Sequence, residues 1–364
     1  MNRIYKKIVP LSVFSALALF AFSASAAPLL FEGFETYALG ELDVDDAASP
    51  NNGTNNPWAG PFPENCHIVG AETNNQIAIF PHSGTNMVRG RLVSVPGGDF
   101  DQEYFNLQFW LNGTNANAPF LGNFYVDWWF FDEVGTGTNS YAPSDYGDYL
   151  AVCYYPNNPP NASYSPTLAS SGNGVPSVRL SLGGTGNQDA GYDGVNPHSG
   201  WNGNVYQTRI EGNPTIGYNG GGWANLPITR SVGWHHAHIE VLPPRADTTY
   251  DGALYIDDMV HPLMTPNFVA NDGFNCIEMN LNFRNVSAYF DDLTFDLLPK
   301  PTLTATPAGT NVVVTWAHSW ILQSSPTISP SAWTDVLDIN SQFVTSPFTN
   351  SPAGGTNLFY RLRN

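Results

Sequence analysis

Acidic and aromatic residues are interleaved at both ends of one long segment of this chain. The first stretch is Phe31–Tyr37 and the second is Tyr289–Phe295, and both predict β-strands. This pattern is expected when the first and last strands of a large β-sandwich pair side by side. The carboxylates of both stretches would supply oxygen ligands of the kind that Ca²⁺ takes, and the alternative is that they are solvated acids at strand edges. The candidate ligands are Glu32, Glu35, Asp291 and Asp292.

A run of histidines is the second candidate site. Side chains of a strand alternate between two faces, so Trp234, His236, His238 and Glu240 share one face. Two histidines and a glutamate could ligate zinc, but the sequence names no fourth ligand. The pattern favours a polar sheet face over a transition-metal site.

Paired carboxylates for glycoside hydrolysis are the third possibility. Retaining chemistry needs two carboxyl groups about 5 Å apart, which a Glu-x-Asp-x-x-Glu strand provides. The nearest stretch is Asp127–Glu133, where Asp127 and Asp132 fall on opposite faces of a straight strand. The neighbours Asp257-Asp258 and Asp291-Asp292 are expected on opposite faces as well. No catalytic residue is predicted, and the pattern favours a protein that is not an enzyme.

Aromatic and amide side chains accumulate in Gly183–Asn225, a segment that predicts a long loop. Sugar rings offer C–H faces that stack on aromatic rings and hydroxyls that bond to amides and carboxylates. Because loops commonly hold binding sites, the segment predicts a glycan site. The alternative is that Trp201 and Trp223 only anchor the loop to a sheet. The candidate residues are Tyr192, Asp193, Asn196, Trp201, Asn202 and Trp223.

The N-terminus predicts export. Residues 1–27 combine basic residues, the apolar run Ile8–Phe22 and a small-residue cleavage site, as secretory signal peptides do. Removing three of the 13 Lys and Arg leaves 10 against 31 Asp and Glu, a net charge of −21. Such acidity excludes binding to nucleic acid or anionic membrane, which depends on basic residues. No second run is long enough to cross a bilayer, so we expect a secreted, extracellular or cell-surface protein.

Three cysteines occur in the chain, Cys66, Cys153 and Cys276. In an exported chain they allow one disulfide and one remaining thiol, and the sequence does not say which two pair. The alternative is that all three are small buried apolar residues. The spacing has no CxxC motif, so it supports neither a zinc site nor a redox motif.

Short apolar runs rich in β-branched and aromatic residues recur, separated by Asn, Gly, Pro and Ser clusters, which predicts an all-β protein. In the run Asn123–Phe131, alternation places one of Trp128 and Trp129 in the core and the other on the opposite face. The other predicted strands are Gln76–Phe80, Met87–Val93, Asn106–Leu111, Tyr149–Tyr155, Val178–Leu182, His235–Leu242, Ala253–Ile256, Cys276–Phe283 and Ala288–Leu297.

A Pro-rich break at Leu298–Pro301 predicts two domains, residues 28–298 and residues 301–364. The second domain predicts five to seven short strands, which suits a small immunoglobulin- or fibronectin-like sandwich. The strands predicted there are Asn311–Trp316, Trp320–Ser324, Trp333–Val336, Gln342–Val344 and Asn357–Leu362.

The larger domain resembles the concanavalin A-like (laminin-G-like) jelly rolls of secreted bacterial proteins. The stretches that carry the resemblance are Phe31–Tyr37, Gly233–Val241, Leu254–Asp258 and Tyr289–Phe295. It implies a jelly-roll sandwich. Carbohydrate-active members often hold calcium where the first and last strands meet, so the resemblance, together with the excess negative charge, predicts a structural calcium site at this junction.

The tail is similar to a C-terminal module of many secreted bacterial proteins. This likeness implies an accessory immunoglobulin-like sandwich for surface attachment or sorting, without an active site. The matching stretches are Val312–Trp316, Leu322–Ser325, Ala332–Val336 and Phe359–Leu362.

These patterns predict an exported, non-catalytic protein that binds glycans or mediates adhesion. The leading alternative is a structural or protein-contacting surface component without a sugar site, followed by a polysaccharide-degrading hydrolase or lyase. Jelly rolls host lectins, enzymes and passive spacers alike, so the fold does not choose between these functions.

Overall fold

The structure is a computed structural model, and all its regular elements in the described residues are β-strands, which confirms the all-β prediction. The predicted signal peptide, residues 1–27, lies outside the described residues. The structure describes residues 28–42, 50, 58–59, 66–74, 76–90, 102–106, 120–133, 135, 147–154, 178–183, 205–211, 223–245, 247, 249–269, 273–282, 287–309, 311–328, 333–339, 343–350 and 358–363.

The described strands of residues 28–298 are, in chain order, β1 (Leu30–Glu32), β2 (Gly40–Glu41), β3 (Trp58–Ala59), β4 (Cys66–Val69), β5 (Glu72–Asn74), β6 (Ile77–Ile79), β7 (Met87–Gly90), β8 (Gln102–Asn106), β9 (Phe124–Asp132), β10 (Gly147–Tyr154), β11 (Val178–Gly183), β12 (Val205–Glu211), β13 (Trp223–Thr229), β14 (Gly233–Val241), β15 (Thr249–Ile256), β16 (Asn267–Val269), β17 (Cys276–Asn282) and β18 (Ala288–Leu297).

Two antiparallel sheets form a β-sandwich around one core. The nine-stranded sheet has the order β16-β15-β14-β9-β18-β7-β4-β2, with β1 also paired to β18. The seven-stranded sheet has the order β13-β12-β11-β10-β17-β8-β3, and β5 and β6 form a separate hairpin. Apolar side chains of both sheets meet between them, for example Trp128 and Ile239 of the first sheet with Val152 and Ile277 of the second.

Strand β9 shows why the sandwich forms. Buried and half-buried residues alternate along its nine positions, so one face enters the core and the other faces outward. Trp128 lies fully buried in the core, whereas Trp129 lies on the outer face. The prediction that one of these two tryptophans is a packing residue is confirmed. Asp127 and Asp132 lie on opposite faces, as predicted.

The first and last strands of the sandwich pair side by side, which confirms that sequence prediction. Leu30 is opposite Phe295 and Glu32 is opposite Leu293 in an antiparallel register. Strand β7 pairs with the other half of the same edge of β18, so β1 and β7 follow each other along it.

Two sequence-based assignments are wrong. Gly183–Asn225 is not one loop, because it contains β12 and the start of β13. The polar residues of β12, including the buried Gln207 and Thr208, concealed its strand character. The strand predicted at Asn106–Leu111 begins too late in the chain, because the described strand β8 begins at Gln102; residues 107–111 lie outside the described residues.

The chain beyond the Pro-rich break, called the C-terminal module below, has six described strands in two three-stranded sheets, β19-β20-β23 and β22-β21-β24. Its apolar core also includes Leu242 and Leu298 of the larger sandwich, so the two units pack against each other. The strand predicted at Gln342–Val344 is only a bridge of Phe343 to Leu337 in the described part. The strands are β19 (Thr304–Ala308), β20 (Asn311–Thr315), β21 (Leu322–Ser325), β22 (Thr334–Asp335), β23 (Phe348–Asn350) and β24 (Phe359–Leu362).

In the described part of the chain, no helix is long and apolar enough to cross a membrane.

A buried ion pair closes one end of β9. Arg230 donates from Nε to Oδ2 and from Nη2 to Oδ1 of Asp132, both at 2.8 Å, and both residues are almost fully buried. Tyr206 of β12, in the other sheet, donates its hydroxyl to the same carboxylate at 3.1 Å. Asp132 therefore joins the two sheets by directed bonds.

We expect Asp132→Asn to lower the free energy of unfolding by about 3–5 kcal/mol, because the buried Arg230 would lose the carboxylate that accepts two of its hydrogen bonds. The matched control is Asp296→Asn, because Asp296 accepts a hydrogen bond from the Leu297 amide that Asn can also accept. Urea denaturation measures both variants. Equal unfolding midpoints for both would contradict a structural role of the ion pair.

Candidate functional site

The outer face of the nine-stranded sheet carries the largest group of histidines and acids in the described residues. In the register of β9 and β14, His236 is opposite Trp129, His238 is opposite Asp127, and Glu240 is opposite Tyr125. All six side chains are on the face turned away from the sandwich core, because neighbouring residues such as Trp128 and Ile239 fill that core. The predicted polar sheet face is confirmed.

These side chains form one continuous hydrogen-bonded network. Asp127 lies between two histidines, with its Oδ1 in contact with Nε2 of His236 and its Oδ2 3.1 Å from Nδ1 of His238. The other ring nitrogen of His238 is 3.2 Å from Oε1 of Glu240. Within the described residues, no three His, Cys, Asp or Glu side chains are placed to share a metal ion.

The C-terminal module completes the network. Nδ1 of His318 is 2.8 Å from Oε1 of Glu240, and the Ser319 amide donates to Oε2 at 2.7 Å. The Ser319 hydroxyl donates to the same oxygen. Glu240 therefore helps to hold the turn between β20 and β21 against the outer face. We call the set Asp127, His236, His238, Glu240 and His318 the histidine network.

The network holds a charged histidine between two carboxylates. Burial lowers the pKa of His238, but its bonds to Asp127 and Glu240 outweigh burial and raise the pKa to about 9. Burial raises the pKa of Glu240, yet the contacts with His238 and His318 hold that pKa well below its usual range. The pKa of Asp127 is also lowered, because its histidine contacts outweigh burial.

At the other end of the outer face, Trp129 is stacked between two imidazole rings. Its ring centre is 3.7 Å from that of His82 and 4.7 Å from that of His236, with planes inclined by 14° and 5°. Nδ1 of His82 is 2.6 Å from Oδ2 of Asp292. Both faces of the indole are thus in contact with protein, and Trp129 is not a free stacking platform for a sugar.

A β-bulge in β18 corrects the prediction for Asp291 and Asp292. On β18 the register advances from Asp291 to Thr294 while β9 moves only from Trp129 to Asp127, so β18 has one extra residue. Asp292 has a positive φ of 49°. Both carboxylates therefore reach the same segment: Asp291 accepts from the amides of residues 82 and 83, and Asp292 bonds to their side chains.

The bulge does not create a catalytic pair of exposed acids. Asp291 is fully buried, and its burial, aided by the charge of Asp292, raises its pKa to about 6. Instead, the two acids hold the connection between β6 and β7 in place.

All four residues of the predicted calcium site accept hydrogen bonds from protein donors. Glu32 is buried and accepts from the Phe34 amide at 2.8 Å and the Tyr37 hydroxyl at 2.9 Å. Glu35 accepts from the amides of residues 85 and 86 at 2.7 and 2.8 Å. A Ca²⁺ ion would compete with these donors for the same oxygens, so this arrangement does not by itself present a calcium cage, and calcium binding remains a prediction from the sequence.

A pocket of about 500 Å³ lies between the outer face and the C-terminal module. The sheet supplies His238, Glu240 and Tyr255 to its wall. The C-terminal module supplies Trp316, His318 and Phe343, and the segment after β15 supplies Met259 and Val260.

A second set of ion pairs fastens the C-terminal module beside the pocket. Asp251 of β15 accepts from Arg245 at 2.8 and 2.6 Å and also from Arg363 at the end of the chain. Arg363 donates to Asp335 as well, at 2.9 Å.

The predicted glycan-site residues are not tested by the described geometry. Tyr192, Asp193, Asn196, Trp201 and Asn202 lie outside the described residues. Trp223 is the first residue of β13, but its side chain is not described.

Sequence reasoning missed His82 and His318 as members of the outer face. Each is an isolated histidine far from β14 in sequence, and its position depends on long-range packing. The available signal was compositional: four of the eight histidines of a strongly acidic chain, the two isolated ones and two of β14, lie together on this face.

No protein-family model matches the sequence, and no curated protein matches it. Among solved structures, the chain is similar to one described as "Botulinum Neurotoxin Type G Receptor Binding Domain", with 8% identity and a TM-score of 0.31. The match covers 77% of this chain and 76% of that chain. A likeness at this TM-score carries no argument about fold or function.

The raised pKa of His238 predicts a pH-dependent stability. A group whose pKa is raised by folding stabilises the protein fully below its unfolded pKa, about 6.5, and loses this contribution as the pH rises through its folded pKa, about 9. The shift corresponds to about 3 kcal/mol. In urea denaturation, we expect the free energy of unfolding of the wild type to fall as the pH rises from about 6.5 to about 9. In His238→Gln, it should fall less steeply over the same pH range.

His235, whose pKa is also raised, should retain part of the pH dependence in that variant. The control is His261→Gln, which alters an exposed histidine and should keep the wild-type slope. An unchanged slope in His238→Gln would show that the network does not hold a charged histidine.

Chelation tests the calcium prediction. If Ca²⁺ binds at these residues, the wild type should have a lower Tm in EDTA than in calcium buffer. A Glu35→Gln/Asp292→Asn variant, which lacks two of the predicted carboxylate ligands, should have the same Tm in both buffers. Calorimetry in both buffers measures this. Equal wild-type Tm values would contradict the prediction and leave the hydrogen bonds as the sole function of these acids.

Proposed function

We propose that this protein is an exported glycan-binding protein without catalytic activity. In this proposal, residues 28–298 form a concanavalin A-like jelly roll and the C-terminal module is an immunoglobulin-like accessory domain. The supporting observation is the pocket between them, whose lining combines aromatic rings with carboxylate and imidazole groups. Sugars are bound by this combination because their C–H faces stack on rings and their hydroxyls bond to polar side chains.

The polar wall of the pocket is well suited to hydroxyl groups. Glu240 and His238 are fixed by the bonds of the histidine network, so little side-chain entropy is lost when a ligand binds. Asp127, held by two histidines, and Asp251, held by two arginines, add two further fixed carboxylates to the lining.

The apolar wall supplies contact surface for a ring. Tyr255 and Trp316 are mostly buried, while Val260, which lines the same pocket, is 64% exposed. A volume of about 500 Å³ falls in the range of ligand sites, roughly 300–1,000 Å³. We therefore propose that the ligand is the end or a short section of a glycan, rather than a long extended chain.

Tyr192, Asp193, Asn196, Trp201, Asn202 and Trp223 remain a proposed second contact surface for the same glycan. The principal alternative function is a structural or protein-contacting surface component, in which the pocket is only the seam between two domains.

A glycan array tests the proposal. We expect the chain to bind one class of plant, algal or microbial polysaccharide in calcium buffer without releasing reducing sugar. If the chain binds none of the glycans on the array, the structural role is favoured. If reducing sugar is released, a hydrolase is favoured.

A matched pair of substitutions locates the site. Val260→Trp should fill the mouth of the pocket and weaken glycan binding at least tenfold, because Val260 lines it. Val232→Trp is the control: Val232 is also exposed, at 53%, but does not line the pocket. Titration by calorimetry measures both, and thermal unfolding checks that both fold. Equal binding by the two variants, with loss in Trp201→Ala, would place the site in the segment predicted from the sequence instead.

A further inference from the structure

Two of the three cysteines face each other across neighbouring strands of the seven-stranded sheet. Cys153 of β10 and Cys276 of β17 are direct register partners. Their sulfur atoms are 3.1 Å apart, and both side chains are fully buried. Each sulfur also lies near the carbonyl oxygen of the other residue, at 3.9 and 3.8 Å.

Both sulfurs lie on the sheet face that is turned away from the sandwich core. Leu150 and Val152 of β10 and Ile277 of β17 belong to the core, so alternation directs Cys153 and Cys276 to the opposite face. The buried carboxylate of Glu278 lies beside them, with Oε2 3.6 Å from the sulfur of Cys153.

We propose that Cys153 and Cys276 form a disulfide bond in the exported protein. Register partners in antiparallel strands have Cα atoms about 4.5–5.5 Å apart, which lies within the range that a disulfide spans. The sulfurs need to approach by only about 1 Å from 3.1 Å. The proposal does not depend on the glycan-binding function.

The third cysteine is excluded from this bond by the topology. Cys66 lies on β4 of the nine-stranded sheet, opposite Gly90, and its side chain belongs to the core between the sheets. Cys153 and Cys276 are on the far face of the other sheet. Of the three pairings that the sequence allows, the structure therefore supports one.

The oxidant is a disulfide compound, either a small molecule or a protein. The thiolate of one cysteine attacks a sulfur of that disulfide and releases one thiol, giving a mixed disulfide. The thiolate of the second cysteine then displaces the other thiol. Two thiol protons pass to the leaving groups, the cysteines lose two electrons, and the oxidant is reduced to two thiols.

The bond would join strands that are 123 positions apart in sequence. The enclosed chain contains β11 to β16. Among them, β14 carries three of the five members of the histidine network, and β14 and β15 together supply one wall of the pocket. Closing a loop of this length restricts the unfolded chain strongly, so the bond should stabilise the strands that form the pocket.

Peptide mapping tests the proposal directly. The full chain is refolded with reduced and oxidised glutathione, because the two sulfurs are buried once folding is complete. It is then denatured, alkylated without reduction and digested for mass spectrometry. We expect a peptide that links Cys153 to Cys276 and an alkylated Cys66. Alkylation of all three cysteines, or a link to Cys66, would overturn the proposal.

Thermal unfolding provides the second test. Wild-type protein refolded and kept in reducing agent should have a Tm roughly 5–10 °C lower than protein refolded with glutathione, because a reductant added after folding would not reach the buried bond. The control Cys66→Ala should respond like the wild type, whereas Cys153→Ala/Cys276→Ala should not respond to reducing agent. A wild-type Tm that is the same with and without reducing agent would overturn the proposal, whether or not the double variant folds.

Discussion

Burial of carboxylates in a chain with few cations is the constraint on which this structure depends. An unpaired buried charge costs several kcal/mol, so each buried acid needs a donor fixed close to it. The whole chain has only 13 Lys and Arg for 31 Asp and Glu, so histidines, hydroxyls and backbone amides supply many of the hydrogen bonds to the buried acids. The buried acids in the described residues are Glu32, Asp132, Glu133, Glu240, Asp251, Glu278 and Asp291.

This constraint explains how the C-terminal module is attached. Glu240 and Asp251 extend from the larger sandwich and are bonded by His318 and Arg363 of the module. Each bond carries charge, and the apolar contacts of Leu242 and Leu298 surround them. A pocket forms where these polar and apolar contacts leave space between the two units, and the proposed function rests on that pocket.

The same constraint shapes the opposite end of the outer face. The bulge in β18 lets Phe290 and Leu293 both enter the core, although they are three positions apart. It consequently turns Asp291 and Asp292 outward to the same neighbouring segment. Because of this one extra residue, the two carboxylates do not lie on opposite faces, and both bond to the connection between β6 and β7.

Three features could be predicted from the sequence: the all-β class, the pairing of the first and last strands, and the shared face of His236, His238 and Glu240. The shared face is predictable because strand alternation is a local property with a period of two residues. The sequence did not reveal β12, whose polar residues resemble a loop, or the bulge at Asp292, which depends on pairing with β9. The tertiary structure alone decided that His318 reaches Glu240, that Asp127 lies between two histidines, and that Cys153 faces Cys276. These contacts join residues up to 123 positions apart, and such proximity arises only when strands pair and domains pack.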